Sequence, residues 1–153
     1  MNKSLLYPLF IILFLGSCKA QKTERIAFYN VENLFDTING PNNDEEFLPD
    51  GKKQWTLERY NVKINHINEI ICDLKTPMVI GLCEIENKFV MNDIRKRNKK
   101  LKQFGIVHFN SLDARGIDVG ILFNSKKLSL IDKGFIRFNL PEQKTPTSRD
   151  IVW

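Results

Sequence analysis

The sequence predicts an α+β domain built on a mixed or parallel β-sheet with helices packed against it. Three observations carry that expectation. Two near-continuous apolar segments, Arg25 to Val31 and Met78 to Asn87, have the composition of buried strands. Between them, Leu57, Tyr60, Ile64, Ile67, Ile71 and Leu74 recur three and four residues apart, which is the stripe of a helix lying on a sheet. Strand, helix, strand in this order is the unit from which parallel and mixed sheets are made.

The chain opens on an address signal. Lys3 gives a positive start, and an apolar run from Leu5 to Leu15, interrupted by Pro8, follows it. A membrane span takes about 20 apolar residues, so this shorter run fits the core of a secretory signal peptide. The run ends Leu15-Gly16-Ser17-Cys18, which resembles the lipobox of bacterial lipoproteins. That resemblance implies cleavage before Cys18 and a diacylglyceryl group on its thiol; the plainer alternative is a signal peptide with a cysteine nearby. The expected organisation is a leader over 1–17, a short polar tether over 18–24 and a single domain over 25–153. Such a chain is exported and anchored to a membrane rather than spanning it, facing the periplasm or the cell exterior.

Without the leader, 136 of the 153 residues remain, enough for one small domain with a modest core. An apolar content of 42% and a charged content of 27% are ordinary for a soluble globular domain, and no internal repeat or low-complexity tract is visible. The net charge of +5 fits an anionic partner without requiring one. Once Cys18 is lipidated, only Cys72 and Cys83 are left, both among apolar neighbours. They read as buried free thiols, although an exported location would permit a disulfide.

Past the first strand, Asp36 to Trp55 is a long loop carrying the turn signals Asn39-Gly40-Pro41, Pro49 and Asp50-Gly51. Its Asp44-Glu45-Glu46 cluster has the chemistry of a calcium loop, or of an ordinary solvated surface. Thr56 is placed to cap the following helix, whose other face carries Glu58, Lys63, His66 and Glu69 and which Lys75-Thr76-Pro77 stops. A second helix is expected over Phe89 to Lys100, ending in the basic run Arg95 to Lys102. Cations there complement the helix dipole; contact with a polyanion backbone is the functional alternative, weakened by the lack of interleaved aromatic residues. Three strand-like segments follow, Phe104 to Phe109, Ile117 to Phe123 and Leu128 to Phe138. The chain then passes Pro141 and Pro146 to Ile151-Val152-Trp153, which reads as the first residues of another strand.

The candidate chemistry sits where the two apolar segments turn polar. Asn30 and Glu32 are two apart, so on a regular strand they share a face. Glu84 closes the second segment in the same way. A polar group at the end of a buried strand is costly to hide without partners. Asn30, Glu32 and Glu84 delivered to one sheet end would form an oxygen-rich pocket for a hard cation.

Four motifs in order and spacing carry a resemblance: Phe28-Tyr29-Asn30-Val31-Glu32-Asn33-Leu34-Phe35-Asp36, the strand ending in Glu84, Asp113-Ala114-Arg115-Gly116-Ile117-Asp118-Val119-Gly120, and Thr147-Ser148-Arg149-Asp150. Together they resemble the endonuclease/exonuclease/phosphatase superfamily, the fold of deoxyribonuclease I, apurinic/apyrimidinic endonucleases, neutral sphingomyelinases and inositol polyphosphate 5-phosphatases. The resemblance implies two packed mixed β-sheets flanked by helices, a four-layer α/β/β/α sandwich. It implies that Asn30 orients the reacting phosphate and that Glu84 binds the metal, with Glu32 near the cation. Arg149, Asp118 and Arg115 would meet the substrate phosphate. The implied cofactor is Mg2+, with Mn2+ or Ca2+ as substitutes.

The activity implied is hydrolysis of phosphodiesters in nucleic acid, with phosphatase or phospholipid phosphodiesterase activity as the alternative and a non-catalytic cation- or anion-binding fragment as the third reading. The superfamily's later histidine, Asp-x-Asn pair, further aspartate and final Asp-His have no counterpart here, and His66 and His108 match none of them. The expectation is therefore the N-terminal half of the domain, with no more than trace hydrolase activity by itself.

Overall fold

In the computed structural model, which describes residues 23–137 and 149–153, four strands form one mixed sheet. They are β1 (Ile26–Leu34), β2 (Val79–Ile85), β3 (Phe104–His108) and β4 (Asp118–Asn124), and their spatial order is β1-β2-β4-β3. β1 and β2 are parallel, in register from Ile26↔Val79, while β4 runs antiparallel to both of its neighbours. The expected leader, Cys18, Pro141 and Pro146 lie outside the described residues.

Helix α1 (Leu57–Asp73) makes the parallel crossover. The Thr56 hydroxyl accepts from the Arg59 N–H at 3.4 Å, and Tyr60, Ile64, Ile67 and Ile71 are buried. The two ends of the expected stripe, Leu57 and Leu74, stay exposed. Lys75 and Thr76 then take left-handed conformations, φ 62° and 50°, and Pro77 forbids another helical turn.

Helix α2 (Lys88–Arg97) begins on Asn87, whose Oδ1 accepts from the N–H groups of Phe89 (2.7 Å) and Val90 (3.1 Å). It ends earlier than the expected Lys100. Asn98 adopts an extended conformation, and a short 3-10 turn over Lys99–Leu101 follows. The Tyr60 hydroxyl donates to Asp93 at 3.0 Å, and the Asn68 amide donates to the Ile94 carbonyl at 3.1 Å, tying the two helices together.

The core lies between one sheet face and these helices. Ile80, Leu82, Phe104 and Leu122 meet Ile64, Ile67, Ile71, Val90, Met91 and Ile94, and each such side chain contributes about 1.5–3 kcal/mol when buried. A Cβ on Gly120 would lie 2.5 Å from the Met91 sulfur, so a glycine is what lets α2 approach β4. The opposite sheet face is apolar but open, with Ile26 and Phe28 exposed and the Phe28 ring lying over Gly81.

A second, smaller antiparallel sheet pairs β5 (Phe135–Ile136) with β6 (Ile151–Val152). The architecture is thus α+β, a mixed sheet with helices and a further small sheet, as expected. The strand expected over Leu128 to Phe138 shrinks to Phe135–Ile136 within the described residues, because Leu130 and Ile131 find no partner strand and stay exposed. Cys72 and Cys83 are free thiols, half-buried rather than fully so. No helix among the described residues is long and apolar enough to cross a membrane.

Candidate functional site

Strands β1 and β2 break at the same level. Pairing runs to Asn30↔Cys83 and resumes only at Leu34↔Ile85, so three residues of β1 face one of β2. Glu32 (φ 58°), Asn33 (φ 57°) and Glu84 (φ 64°) are all left-handed there. That conformation costs a non-glycine residue roughly 1–2 kcal/mol. Such strain persists only where its surroundings over-determine it, and it gathers at functional sites.

Hydrogen bonds supply the over-determination. The Asn30 side chain works at both ends: Oδ1 accepts from the Glu32 N–H at 2.7 Å, and Nδ2 donates to Glu84 Oε1 at 3.0 Å. The Asn33 N–H donates to Glu84 Oε2 at 3.1 Å, and Arg149 Nη2 donates to Oε1 at 3.2 Å. From α1, Lys63 Nζ donates to the Glu32 carbonyl at 2.6 Å. Glu84 therefore sits at the centre, holding donors from β1 and from the segment before β6.

The structure brings together Asn30, Glu84 and Arg149, and the main chain of Glu32. Glu32 stays with Asn30 at one crevice, although its left-handed backbone interrupts the strand's alternation. That crevice, of about 580 Å³ between β1 and α1, is also lined by Trp55, Arg59 and Lys63. Arg149 Nε is buried and without a partner among the described residues, leaving a donor free for an acceptor.

Asp118 and Arg115 are placed differently. Asp118 is buried at the start of β4, its Oδ2 2.9 Å from His108 Nε2 and its Oδ1 accepting from the Ser111 N–H at 2.8 Å. Arg115 forks onto the buried Asp113, Nε to Oδ1 at 3.2 Å and Nη2 to Oδ2 at 3.1 Å, with nearly half of its side chain in solvent. Asp118 is thus committed to protein partners, while Arg115 keeps an exposed guanidinium edge.

Burial and charge shape the surroundings. Burial lowers the Lys63 ammonium from its ordinary pKa, against the pull of Glu32 and Glu84. Burial raises the Cys83 thiol, and the charge of Glu84 adds to the effect, so this cysteine is a poor nucleophile. Behind the site Glu86 is pushed up to about 7, first by burial and then by the carboxylates of Asp36, Asp44 and Asp118, despite the N–H that Asp36 donates to it at 2.7 Å.

Sequence reasoning missed Lys63, Asn33 and the His108–Asp118 pair. Lys63 stands on a polar helix face like any solvated lysine, and Asn33 acts through its backbone. The pairing of β3 with β4 that joins His108 to Asp118 is non-local. A period-two reading from Phe104 does not put His108 beside a carboxylate until the register is known.

The oxygen donors suit a hard cation. Glu84 retains a lone pair on Oε2, and Asn30 Oδ1 and the Glu32 carboxylate lie on the same broken stretch of β1. Only a cation that keeps most of its own waters could use such a sparse set. Among the described residues no group of three or more His, Cys, Asp or Glu side chains is arranged to hold a metal. The Asp44-Glu45-Glu46 cluster makes no calcium cage: Asp44 is buried and accepts from the Gly40 N–H at 2.9 Å, while Glu45 and Glu46 are exposed.

The basic run does not border this site. Phe104, just after the run, pairs with Asn124, and Val79 pairs with Phe123, whereas the site lies beyond Cys83↔Val119. The lysines therefore stand at the other end of the sheet. A model of the endonuclease/exonuclease/phosphatase family matches residues 25–153. No curated protein and no solved structure matches the chain.

Proposed function

Given that the chain belongs to the endonuclease/exonuclease/phosphatase family, we propose that it serves Mg2+-dependent phosphodiester hydrolysis and that its substrate is nucleic acid. The family suggests metal-dependent hydrolysis of phosphate esters in general; the substrate and the ion are our reading. The observation that supports it most is the convergence of Asn30 and Arg149 on one oxygen of Glu84.

In this reading Glu84, with Glu32 and Asn30 Oδ1, holds the cation; Mn2+ or Ca2+ would find the same oxygen donors. When bound, the cation polarises a phosphoryl oxygen and offsets charge that develops during displacement. The protein's own groups do the rest. Asn30 Nδ2 is a neutral donor, able to bond an equatorial phosphate oxygen without a net charge of its own. Arg149 reaches Glu84 through Nη2, and its Nε, without a partner among the described residues, completes with Nη2 the fork that suits a phosphate. Asn33 N–H keeps Glu84 oriented, and Lys63 keeps Asn33 oriented by holding the preceding carbonyl. Arg115 offers a further exposed cation.

We also read the chain as exported and lipidated at Cys18, on the order of charge, apolar run and small residues in its first 18 residues. The activity test uses the protein encoded by the complete reading frame, given plasmid DNA, sphingolipid vesicles and inositol phosphate with and without Mg2+. Mg2+-dependent nicking of the plasmid is expected, and Asn30→Ala should slow it by about 10²–10³-fold, the usual loss for one transition-state donor. Turnover of the lipid or the inositol phosphate with the plasmid left intact would instead establish the alternative activities of this fold.

A further inference from the structure

The sheet has two unlike ends. One holds Glu84 and its partners. At the other, the Met78 N–H donates to the Arg25 carbonyl (2.7 Å), Asn124 N–H to Met78 (2.9 Å) and Ser125 N–H to Gln103 (3.1 Å). Along β2 the two levels, Val79 and Cys83, are separated by roughly 13 Å at the usual strand rise. Every segment that turns at this second end brings lysine with it: Lys75 after α1, Lys99, Lys100 and Lys102 after α2, Lys126 and Lys127 after β4, all exposed.

The helix dipole does not account for these lysines. Its influence fades within the last turn, and the two arginines of that turn are already used by the fold. Arg95 donates to the Phe104 carbonyl at 3.1 Å, and Arg97 to Asn61 at 2.6 Å and Asp93 at 3.4 Å. The lysines beyond them form a cluster drawn from three separate connections. The carboxylates nearby are Asp73 and Glu24, and Glu24 is paired with Lys127 at 2.7 Å.

The same end is where the chain enters the domain. Glu24 lies there, and Arg25 leads into β1. Cys18 is seven residues before Arg25, a reach of at most about 25 Å for extended chain. Lysine is a compact, hydrated charge on a flexible stem, suited to diffuse headgroup charge, whereas planar recognition favours arginine. A lipid chain combined with a basic patch is a recognised way of making membrane attachment stable.

We propose that this lysine-bearing end is a docking surface for anionic phospholipid, which stands the sheet on end with the candidate site directed away from the membrane. The proposal concerns a surface remote from the hydrolytic site and does not depend on that site's activity.

The test is competition of the full chain between phosphatidylcholine vesicles and vesicles also containing phosphatidylglycerol. Competition reads the preference for anionic lipid even where an anchor binds the chain to both. A preference of about tenfold or more for the anionic vesicles is expected, falling as salt is raised. The triple reversal Lys99→Glu, Lys100→Glu, Lys102→Glu should bring the ratio close to one. Lys133→Glu, a single reversal beside Phe109 at the site end, should leave the ratio close to that of the unmodified chain and well above that of Lys99→Glu alone. An equal distribution of the unmodified chain overturns the proposal, as does a ratio that the triple reversal leaves unchanged or that Lys133→Glu lowers as far as Lys99→Glu does. If the reversal abolishes binding to duplex DNA and leaves the vesicle ratio intact, the surface belongs to nucleic acid and the proposal fails.

Discussion

Lys63 is the residue whose role is least visible in the sequence and most specific in the structure. Its ammonium, partly desolvated, bonds a main-chain carbonyl, and that carbonyl belongs to the first of two left-handed residues that aim an N–H at Glu84. Lys63→Met keeps most of the stem that packs by Trp55 but loses the donor. On the proposed metal reading, Mg2+ affinity measured by calorimetry should fall about 10- to 100-fold, the range for groups that orient a metal ligand, and Lys63→Arg should recover part of it. Equal affinities in the three proteins would show that the turn holds without the lysine. Glu86 gives a pH prediction. Its pKa rises from an ordinary 4.5 to about 7 on folding, so between those values the native state keeps a proton that the unfolded chain releases. Its contribution to stability is full below pH 4.5 and is lost as pH climbs through 7. Glu86→Gln should therefore unfold at higher denaturant than the parent at pH 8, with the difference closing by pH 4. Parallel behaviour at both pH values would contradict this. At this scale the sequence singled out Asn30 and Glu84, which the structure places in hydrogen-bond contact, because a polar residue closing an apolar strand is conspicuous. The left-handed turn between them stayed hidden, since no glycine marks it.

At the scale of elements, legibility followed the range of the interactions. α1 was readable from its own residues, cap, stripe and stop, because each is local. The last turn of α2 was over-read: Asn98 leaves the helical conformation to bond Asn68 at 3.1 Å and cap the next turn through the Lys100 N–H at 3.0 Å, and nothing local announces the partner. β5 and β6 exist only through each other, across a stretch of intervening chain, so Leu128 to Leu130 promised a strand that never formed. Asn87 links element to site, since it caps α2 and also donates to Asp36 at 3.1 Å. Asn87→Ala should cost about 1–2 kcal/mol in chemical denaturation, and Asn87→Ser, which keeps a cap acceptor without setting a second carboxylate against Asp36, should cost less. An alanine variant as stable as the parent would mean the helix begins without it.

For the whole molecule, the mixed sheet with helices on one face was foreseeable from the strand–helix–strand order, whereas the separation of charge between its ends was not. A basic run in one dimension says nothing about which end of a sheet it occupies; the registers of β2, β3 and β4 decide that. The lipidated reading makes its own prediction. Labelled fatty acid should be incorporated into the parent chain in a lipoprotein-processing host and be absent from Cys18→Ser. Label retained in that variant would refute modification at this cysteine.

The turns that gather lysine and the bulges that gather Glu84 sit at opposite poles of the same short strands. Docked by the lysine pole as proposed, the chain would face outward, like a bristle on a brush. Lipids in the leaflet beneath it would then lie a strand's length below Glu84, while a long, drifting polymer could reach that tip from the surrounding fluid.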